Sequence, residues 1–495
     1  MLVHELIGQG TKNDPVFYYP RQMTYGELAQ EVDHYRDYFF ACGIKTGDHV
    51  GLFAKNSIEF VCTYLALTSL GAIVVPINFQ LTARETAYIL HDAGIHHLVT
   101  AAPLDLADEL AKCGCREELS QLTFTAIKQA LKQRSYPPAP PLPPAFDEQQ
   151  PCVIIYTSGT TGHPKGAVLT HENLVVDAQA FSHMLPVERR DNVLCVLPMY
   201  HCFAWTCAIL NALWLGAGIT VLETFAPKET AAVIKEHRVT VMYGVPPMYN
   251  LLSRLAQPDA LRTVRIFVSG GASLPVEVAK QFESIYGTPI IEGYGLSEAS
   301  PVVTFNLPEK RKYGSIGKAL PGITVAIVNE DGQQLGTGEI GELVVRGPIV
   351  MQGYWNLPEQ TAQSLRDGWL HTGDIAYRDE DGYFFIVDRL KDMIISSGEN
   401  VYPREIEELL YTYPGVVEAA VIGVPDSLRG QAIRAYLVMR EGASFNKRAV
   451  KEFLQARLAP YKQPRDIVVV DALPKTPTGK LLKRALREEA AATKS

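Results

Sequence analysis

The sequence predicts an α/β protein: a large N-terminal domain of layered α/β subdomains with a β-rich lobe, and a small C-terminal α+β domain. Three observations predict it. Short β-branched runs alternate with longer helical patterns over the first ~390 residues, as layered α/β structure requires. After Gly322 the pattern shifts to period-two alternation with an Asp-Gly turn signal, in TVAIVNEDGQQL, GEIGELVVRG and GYFFIVDR, which reads as antiparallel strands. From about residue 392 a separate helix and strand pattern restarts. At 495 residues the chain exceeds one ordinary core, so more than one domain is expected.

In order, strands are predicted over 49–54, 73–76, 152–156, 192–197, 219–222, 240–244 and 264–269. Helices are predicted over 25–42, 57–70 and 274–286. The proline-rich stretch YPPAPPLPPAFDEQQP (136–151) reads as an extended spacer, and on composition alone marks a domain boundary. In the tail, Pro403 opens a helix whose first turns carry Glu405, Glu407 and Glu408, residues that suit its positive end. A strand over 417–424, a helix over 447–458 and a strand over 467–470 follow.

Two uncharged runs, 60–77 and 193–222, resemble membrane spans, but Gly71 and Pro76 interrupt the first. Pro198, His201 and Gly216-Ala217-Gly218 divide the second. Neither supplies the roughly 20 continuous apolar residues of a bilayer span. The start, MLVHELIGQGTKNDP, lacks the basic-then-apolar pattern of a signal peptide.

The formal charge of −8 argues against a general nucleic-acid binder. Its distribution is uneven: residues 1–388 hold 28 Lys and Arg against 41 Asp and Glu, and residues 389–495 hold 18 against 13. A basic final fifth could meet an anionic ligand, or be a small domain with solvated lysines. The eight cysteines are scattered; Cys113 and Cys115 lack zinc or redox spacing, and Cys62, Cys195 and Cys207 read as small buried hydrophobes. That usage suits a reducing cytoplasm.

The loop YTSGTTGHPKG (156–166) follows a buried strand. It places Thr157, Ser158, Thr160 and Thr161 among Gly159, Gly162 and Gly166, with Lys165 as countercharge. Glycines let backbone N–H groups curl around an anion and hydroxyls add donors, so this is a phosphate cradle. It is not a Walker A loop, because Pro164 precedes the lysine and no Gly-Lys-Ser/Thr follows.

This loop resembles the phosphate-loop signature of the adenylate-forming superfamily of acyl-CoA synthetases, luciferases and adenylation domains. In the family's order come PMYHCFAW (198–205), SGGASLP (269–275), EGYGLSEASP (292–301), GELVVRGPIVMQGYW (341–355), DGWLHTGD (367–374), VDRLKDMIISSGENVYPREIE (387–407) and PKTPTGK (474–480). The blocks look closest to bacterial long-chain-fatty-acid–CoA ligases.

The resemblance implies domains at 1–388 and 392–495 joined by a hinge at 389–391, the small C-terminal domain being mobile. It implies that Glu298 coordinates Mg²⁺, with Thr157 as a hydroxyl contact, since magnesium takes hard oxygens. Tyr294 then offers its face to adenine, Gly271 and Ala272 leave room for the base, and Gly295 and Ser297 complete that motif. Ser297 stands where many members have Thr. Asp374 and Arg389 hold the ribose hydroxyls. Lys480, alone a surface lysine in a basic tail, becomes the cation that steadies adenylation. Lys391 falls at the pivot, where many relatives have Asp. The Ser396-Ser397-Gly398-Glu399 segment serves thioester formation, with Gly398 letting the pantetheine arm pass the backbone.

His201 matches the position beside the carboxylate and nucleotide. Trp205 and the uncharged helix over 206–215 wall an apolar acyl tunnel, with Tyr243 and Gly293 as further lining. No charge in that helix pairs with an amino or second carboxylate group, which favours a fatty acid. The implied reaction joins a carboxylic acid to CoA at the expense of ATP, through an acyl-adenylate, releasing AMP and pyrophosphate. Medium-chain or aromatic acids and an acyl-AMP ligase loading a carrier protein are the alternatives. A luciferase-like oxygenase has no feature demanding it, and a non-catalytic relative is expected to have lost Glu298 or Lys480. The expected setting is cytoplasmic, with room for peripheral membrane contact and for a monomer or homodimer.

Overall fold

The alternation in the first ~390 residues appears as two sheets built around parallel strands. The structure, a computed structural model, describes residues 1–495 apart from 115–118, 158–163, 256–257, 397, 427, 477–480 and 493–495. One sheet runs, in spatial order, Gly353–Tyr354, Lys165–Thr170, Pro151–Thr157, Ile73–Ile77, His49–Phe53, His97–Thr100 and Ser120–Thr123. The other runs from Lys318–Ala319 through Val302–Phe305, Ile290–Gly295, Ile266–Ser269, Val241–Gly244, Asn192–Cys195 and Gly218–Val221 to Pro15–Tyr19 and Met23–Thr24. Central strands such as Ile73–Ile77 and Ile266–Ser269 are buried along their whole length, as helix-covered parallel strands must be.

Helix starts follow local chemistry. Thr24 caps Tyr25–Ala41, accepting from the Glu27 N–H while the Glu27 carboxylate returns to the Thr24 N–H. Ser57 caps Ile58–Ser69 by accepting from the Phe60 N–H.

The proline-rich stretch does not separate two cores. Pro151–Thr157 joins the sheet that already holds Ile73–Ile77, with Val74 paired to Val153. Tyr136 and Ala139 pack on the same apolar core, so the spacer lies over one domain. The segment predicted as a helix over 206–215 is a buried π-helix, Ala204–Leu210, continuing into the α-helix Asn211–Leu215. Among the described residues, no helix is long and apolar enough to cross a membrane.

The β-rich lobe pairs Thr324–Val328, Gly341–Arg346, Trp369–Arg378 and Phe384–Arg389 as antiparallel neighbours. Beyond it, the tail has its own sheet: Ile394–Ser396 and Glu399–Val401 beside Gly430–Met439, which also pairs Val416–Asp426 and Asp466–Val469. Its apolar clusters draw on buried residues from Ile394 to Ala490 and on none earlier in the chain. The two-domain arrangement therefore rests on separate hydrophobic cores.

Candidate active site

Parallel strands leave their carboxyl ends open at one edge, where ligands of such sheets bind. Gly244, Ser269 and Glu292 are register partners on three neighbouring strands, so the segments after them emerge side by side. These segments supply Pro246, Gly271, Ala272, Gly293, Tyr294 and Gly295 to one cavity. Gly271 sits at φ +74, a conformation that favours glycine. At Gly295 an added Cβ would lie 1.8 Å from the Pro301 carbonyl oxygen, so the backbone approach there excludes a side chain.

The lobe supplies the next wall. Asp374 and Arg389 are direct partners on Trp369–Arg378 and Phe384–Arg389. Their side chains meet with Nε 2.9 Å from Oδ1. The Tyr294 hydroxyl donates to the other carboxylate oxygen, Oδ2, at 2.5 Å. Burial pushes the Tyr294 phenol well above its ordinary value, with the neighbouring carboxylate adding to the shift, so it stays a donor. All three residues line the cavity.

The ends of the phosphate loop are held by a hairpin in which Thr157 faces Lys165. Ser158, Gly159, Thr160, Thr161 and Gly162 lie outside the described residues. Lys165 places Nζ 5.1 Å from the ring centre of Tyr354, whose hydroxyl donates to Glu298 Oε1 at 2.8 Å. The structure thus links Lys165 and Glu298 through a residue that motif reading left without a role. Ser297 lies 3.3 Å, Oγ to Sγ, from Cys202. The neighbouring His201 accepts from the Phe203 N–H through Nδ1. On the expected apolar wall, Tyr64 lies on Trp205 at 3.9 Å between ring centres, with Phe60 at 5.8 Å. Gly293 lines the cavity through its backbone, and an added Cβ there would lie 2.3 Å from the Phe305 ring. Tyr243 is buried, and its hydroxyl has no hydrogen-bond partner among the described residues.

The C-terminal domain covers the cavity with charge. Lys483 pairs with Glu407 at 2.8 Å, Arg404 donates its N–H to Asp388 and its guanidinium to the Ile386 carbonyl, and Arg487 meets Asp392 at 2.6 Å. Burial raises the Glu408 and Asp388 carboxyls and pushes Glu292 up to about 7, Arg404 opposing it. The sequence offered Glu407 and Glu408 only as helix-end residues. Their partners lie far off in the chain: the Val276 backbone for Glu408, and Lys483, on a helix not foreseen, Lys483–Ala492, for Glu407.

Lys480 lies outside the described residues, but Lys475 and Leu481, joined by a β-bridge, both line the cavity. Lys391 is exposed in the short turn Leu390–Asp392. Gly398 is an exposed turn residue at φ +84, outside the cavity lining.

This geometry is a nucleotide-sized cleft between a strand-end cradle and a charged lid, and comparison with known proteins gives it a family. The chain matches the AMP-binding enzyme family over residues 7–355 and the AMP-binding enzyme C-terminal domain over 405–480. It belongs to the AMP-binding enzymes. It is 36% identical to a long-chain-fatty-acid–CoA ligase of Bacillus subtilis (strain 168), covering 96% of this chain and 91% of the relative. It is also 36% identical to a feruloyl-CoA synthase of Amycolatopsis sp, covering 94% and 93%. Among solved structures, ATP-bound MatB from Rhodopseudomonas palustris superposes with a TM-score of 0.91 at 30% identity, covering 99% of both chains.

Proposed function

We propose that this protein is an AMP-forming acid–CoA ligase whose substrate is a fatty acid, long-chain in the leading reading. The observation that carries the nucleotide half is the Tyr294–Asp374–Arg389 constellation at the carboxyl ends of parallel strands. Asp374 accepts from both neighbours and keeps lone pairs for vicinal ribose hydroxyls, while Tyr294 and the small Gly271 and Ala272 take the base. The acid's carboxylate attacks the α-phosphorus of ATP, expelling pyrophosphate. Lys480 steadies the developing charge, and Lys165 the departing phosphates. The small domain then turns about Lys391 to bring the segment around Gly398 to the acyl-adenylate, and the CoA thiol displaces AMP.

Mg²⁺ fits the donor set. Glu298 has Oε1 bonded to Tyr354, and Oε2 takes no hydrogen bond among the described residues. Thr157 adds a hydroxyl, and a cation that draws its remaining ligands from phosphate and water needs little more from protein. When bound, magnesium would neutralise the phosphates and draw electrons from the α-phosphorus.

Support for an apolar acid comes from the wholly uncharged, buried segment Ala204–Leu210. A shorter or aromatic acid is the second reading, favoured by Tyr64 closing the face of Trp205. The test supplies ATP, Mg²⁺, CoA and acids from acetate through oleate, with benzoate and ferulate. CoA-dependent AMP release, fastest with long chains, is the expected outcome. A preference for benzoate or ferulate selects the second reading, turnover without CoA selects a carrier-loading ligase, and ADP release overturns the mechanism.

A further inference from the structure

The segment around Tyr354 straps the two halves of the phosphate site together. Gly353 and Tyr354 pair with Val168 and Ala167 on the strand leaving the phosphate loop. The Trp355 N–H donates to the Gly166 carbonyl at 2.7 Å, and the Tyr354 N–H donates to Thr361 Oγ1 at 2.8 Å. From the same segment, the Met351 N–H donates to the Glu298 carbonyl at 2.9 Å. The Tyr354 side chain is therefore fixed at its root on both sides. Its hydroxyl occupies one oxygen of the Glu298 carboxylate, and its ring faces the Lys165 ammonium.

With one lone pair of Oε1 taken by the Tyr354 hydroxyl, the carboxylate presents Oε2 as its freer oxygen to a cation and bidentate binding is disfavoured. Mg²⁺ keeps a tight octahedron and takes carboxylates through single oxygens, whereas Ca²⁺ accepts bidentate carboxylates and more ligands. We propose that Tyr354 is a positioning residue that makes Glu298 a one-oxygen ligand and thereby sets preference for Mg²⁺ over Ca²⁺. This rests on the reading of Glu298 as the metal-binding carboxylate.

The test measures ATP binding to the full-length protein by calorimetry, without acid or CoA, at stepped Mg²⁺ or Ca²⁺. Tyr354→Phe keeps the ring under Lys165 and removes only the hydroxyl. It is expected to raise the half-saturating Mg²⁺ roughly ten- to a hundredfold, as loss of a hydrogen-bond partner of a metal ligand does. The half-saturating Ca²⁺ should rise less or fall, so the Mg²⁺ preference shrinks at least threefold. Tyr354→Leu also lacks the hydroxyl and must move the preference the same way, a second reading should the Phe variant fold poorly. A preference unchanged within 1.5-fold in both variants, or tighter Mg²⁺ binding, overturns the proposal. Glu298→Gln separates the two claims. If ATP binding keeps its metal dependence in that variant, the Glu298 reading itself fails. If the dependence is lost there but the Tyr354 variants keep the preference, only the role of Tyr354 fails.

Discussion

Asp374 and Arg389 face each other across two antiparallel strands, with Arg389 Nε 2.9 Å from Asp374 Oδ1. The aspartate side chain is 3% exposed, so the pair is held in a low-dielectric wall, and Tyr294 occupies the second oxygen. Removing the Asp374 charge leaves the Arg389 guanidinium, 36% exposed, without its partner and weakens the acceptor offered to the ribose. Asp374→Asn preserves the shape and an acceptor for Tyr294, yet it should lower kcat/KM for ATP at least a hundredfold in ATP–pyrophosphate exchange. A change under twofold would remove Asp374 from the nucleotide site.

Glu292 sets a pH prediction. Its folded-state pKa of about 7 lies above the unfolded value of 4.5, because burial penalises the carboxylate. The native state therefore holds the proton more tightly, and the stability this contributes is present below about pH 4.5 and lost as pH rises through about 7. The penalty at high pH is on the order of 3 kcal/mol at most. Glu292→Gln mimics the neutral form and keeps an acceptor for the Leu274 N–H, which donates to Glu292 Oε1 at 3.0 Å. Thermal melts without ligand should show the variant a few degrees more stable at pH 8, the difference closing towards pH 5. A pH-independent offset would show that Glu292 is ionised throughout.

Much of this architecture was legible in local pattern. Strands such as His49–Phe53, Ile73–Ile77 and Gly218–Val221 announce themselves as buried β-branched runs, and the helix Tyr25–Ala41 begins at a capping box. What local pattern could not carry is pairing at a distance. Nothing near Pro15–Tyr19 says that it lies parallel to Gly218–Val221. Gly430–Met439, the strand joining three others in the C-terminal sheet, alternates too weakly to stand out. The site divides in the same way. The family resemblance singled out Tyr294, Asp374 and Arg389, which the fold brings into contact. Tyr354, Lys483 and Glu292 act through partners far away in sequence, and only the fold brings those partners near.

The helix Lys483–Ala492 ties down the proposed pivot. Lys483 reaches Glu407 and Asp388 on one side, and Arg487 meets Asp392 on the other, so the two cations straddle residues 389–391. Arg487 is 35% exposed, and its ion pair should contribute less than about 1 kcal/mol to stability. Arg487→Met is therefore expected to melt within a degree or two of the parent while loosening the C-terminal end of the hinge, where Arg487 anchors Asp392 to the small domain's last helix. Adenylation, followed as pyrophosphate release, should fall several-fold more than thioester formation from supplied acyl-AMP. Equal losses in the two half-reactions would show that the ion pair does not bias the domains.

The two lysines proposed for the phosphates should separate by half-reaction. Lys165 sits at a fixed hairpin end beside Tyr354, so its charge is present in any domain orientation. Lys480 follows the cavity-lining Lys475 on the C-terminal domain, and would be withdrawn in the domain turn proposed above. Lys480→Ala should therefore lower adenylation a hundredfold or more, the scale of one lost electrostatic contact to a developing charge. It should leave thioester formation from supplied acyl-AMP nearly intact. Lys165→Ala should raise KM for ATP about tenfold while retaining more adenylation activity than Lys480→Ala. Rapid-quench measurement of each half-reaction decides it: a Lys165→Ala defect equal to that of Lys480→Ala in adenylation, or a Lys480→Ala variant equally impaired in both steps, would reassign the chemistry.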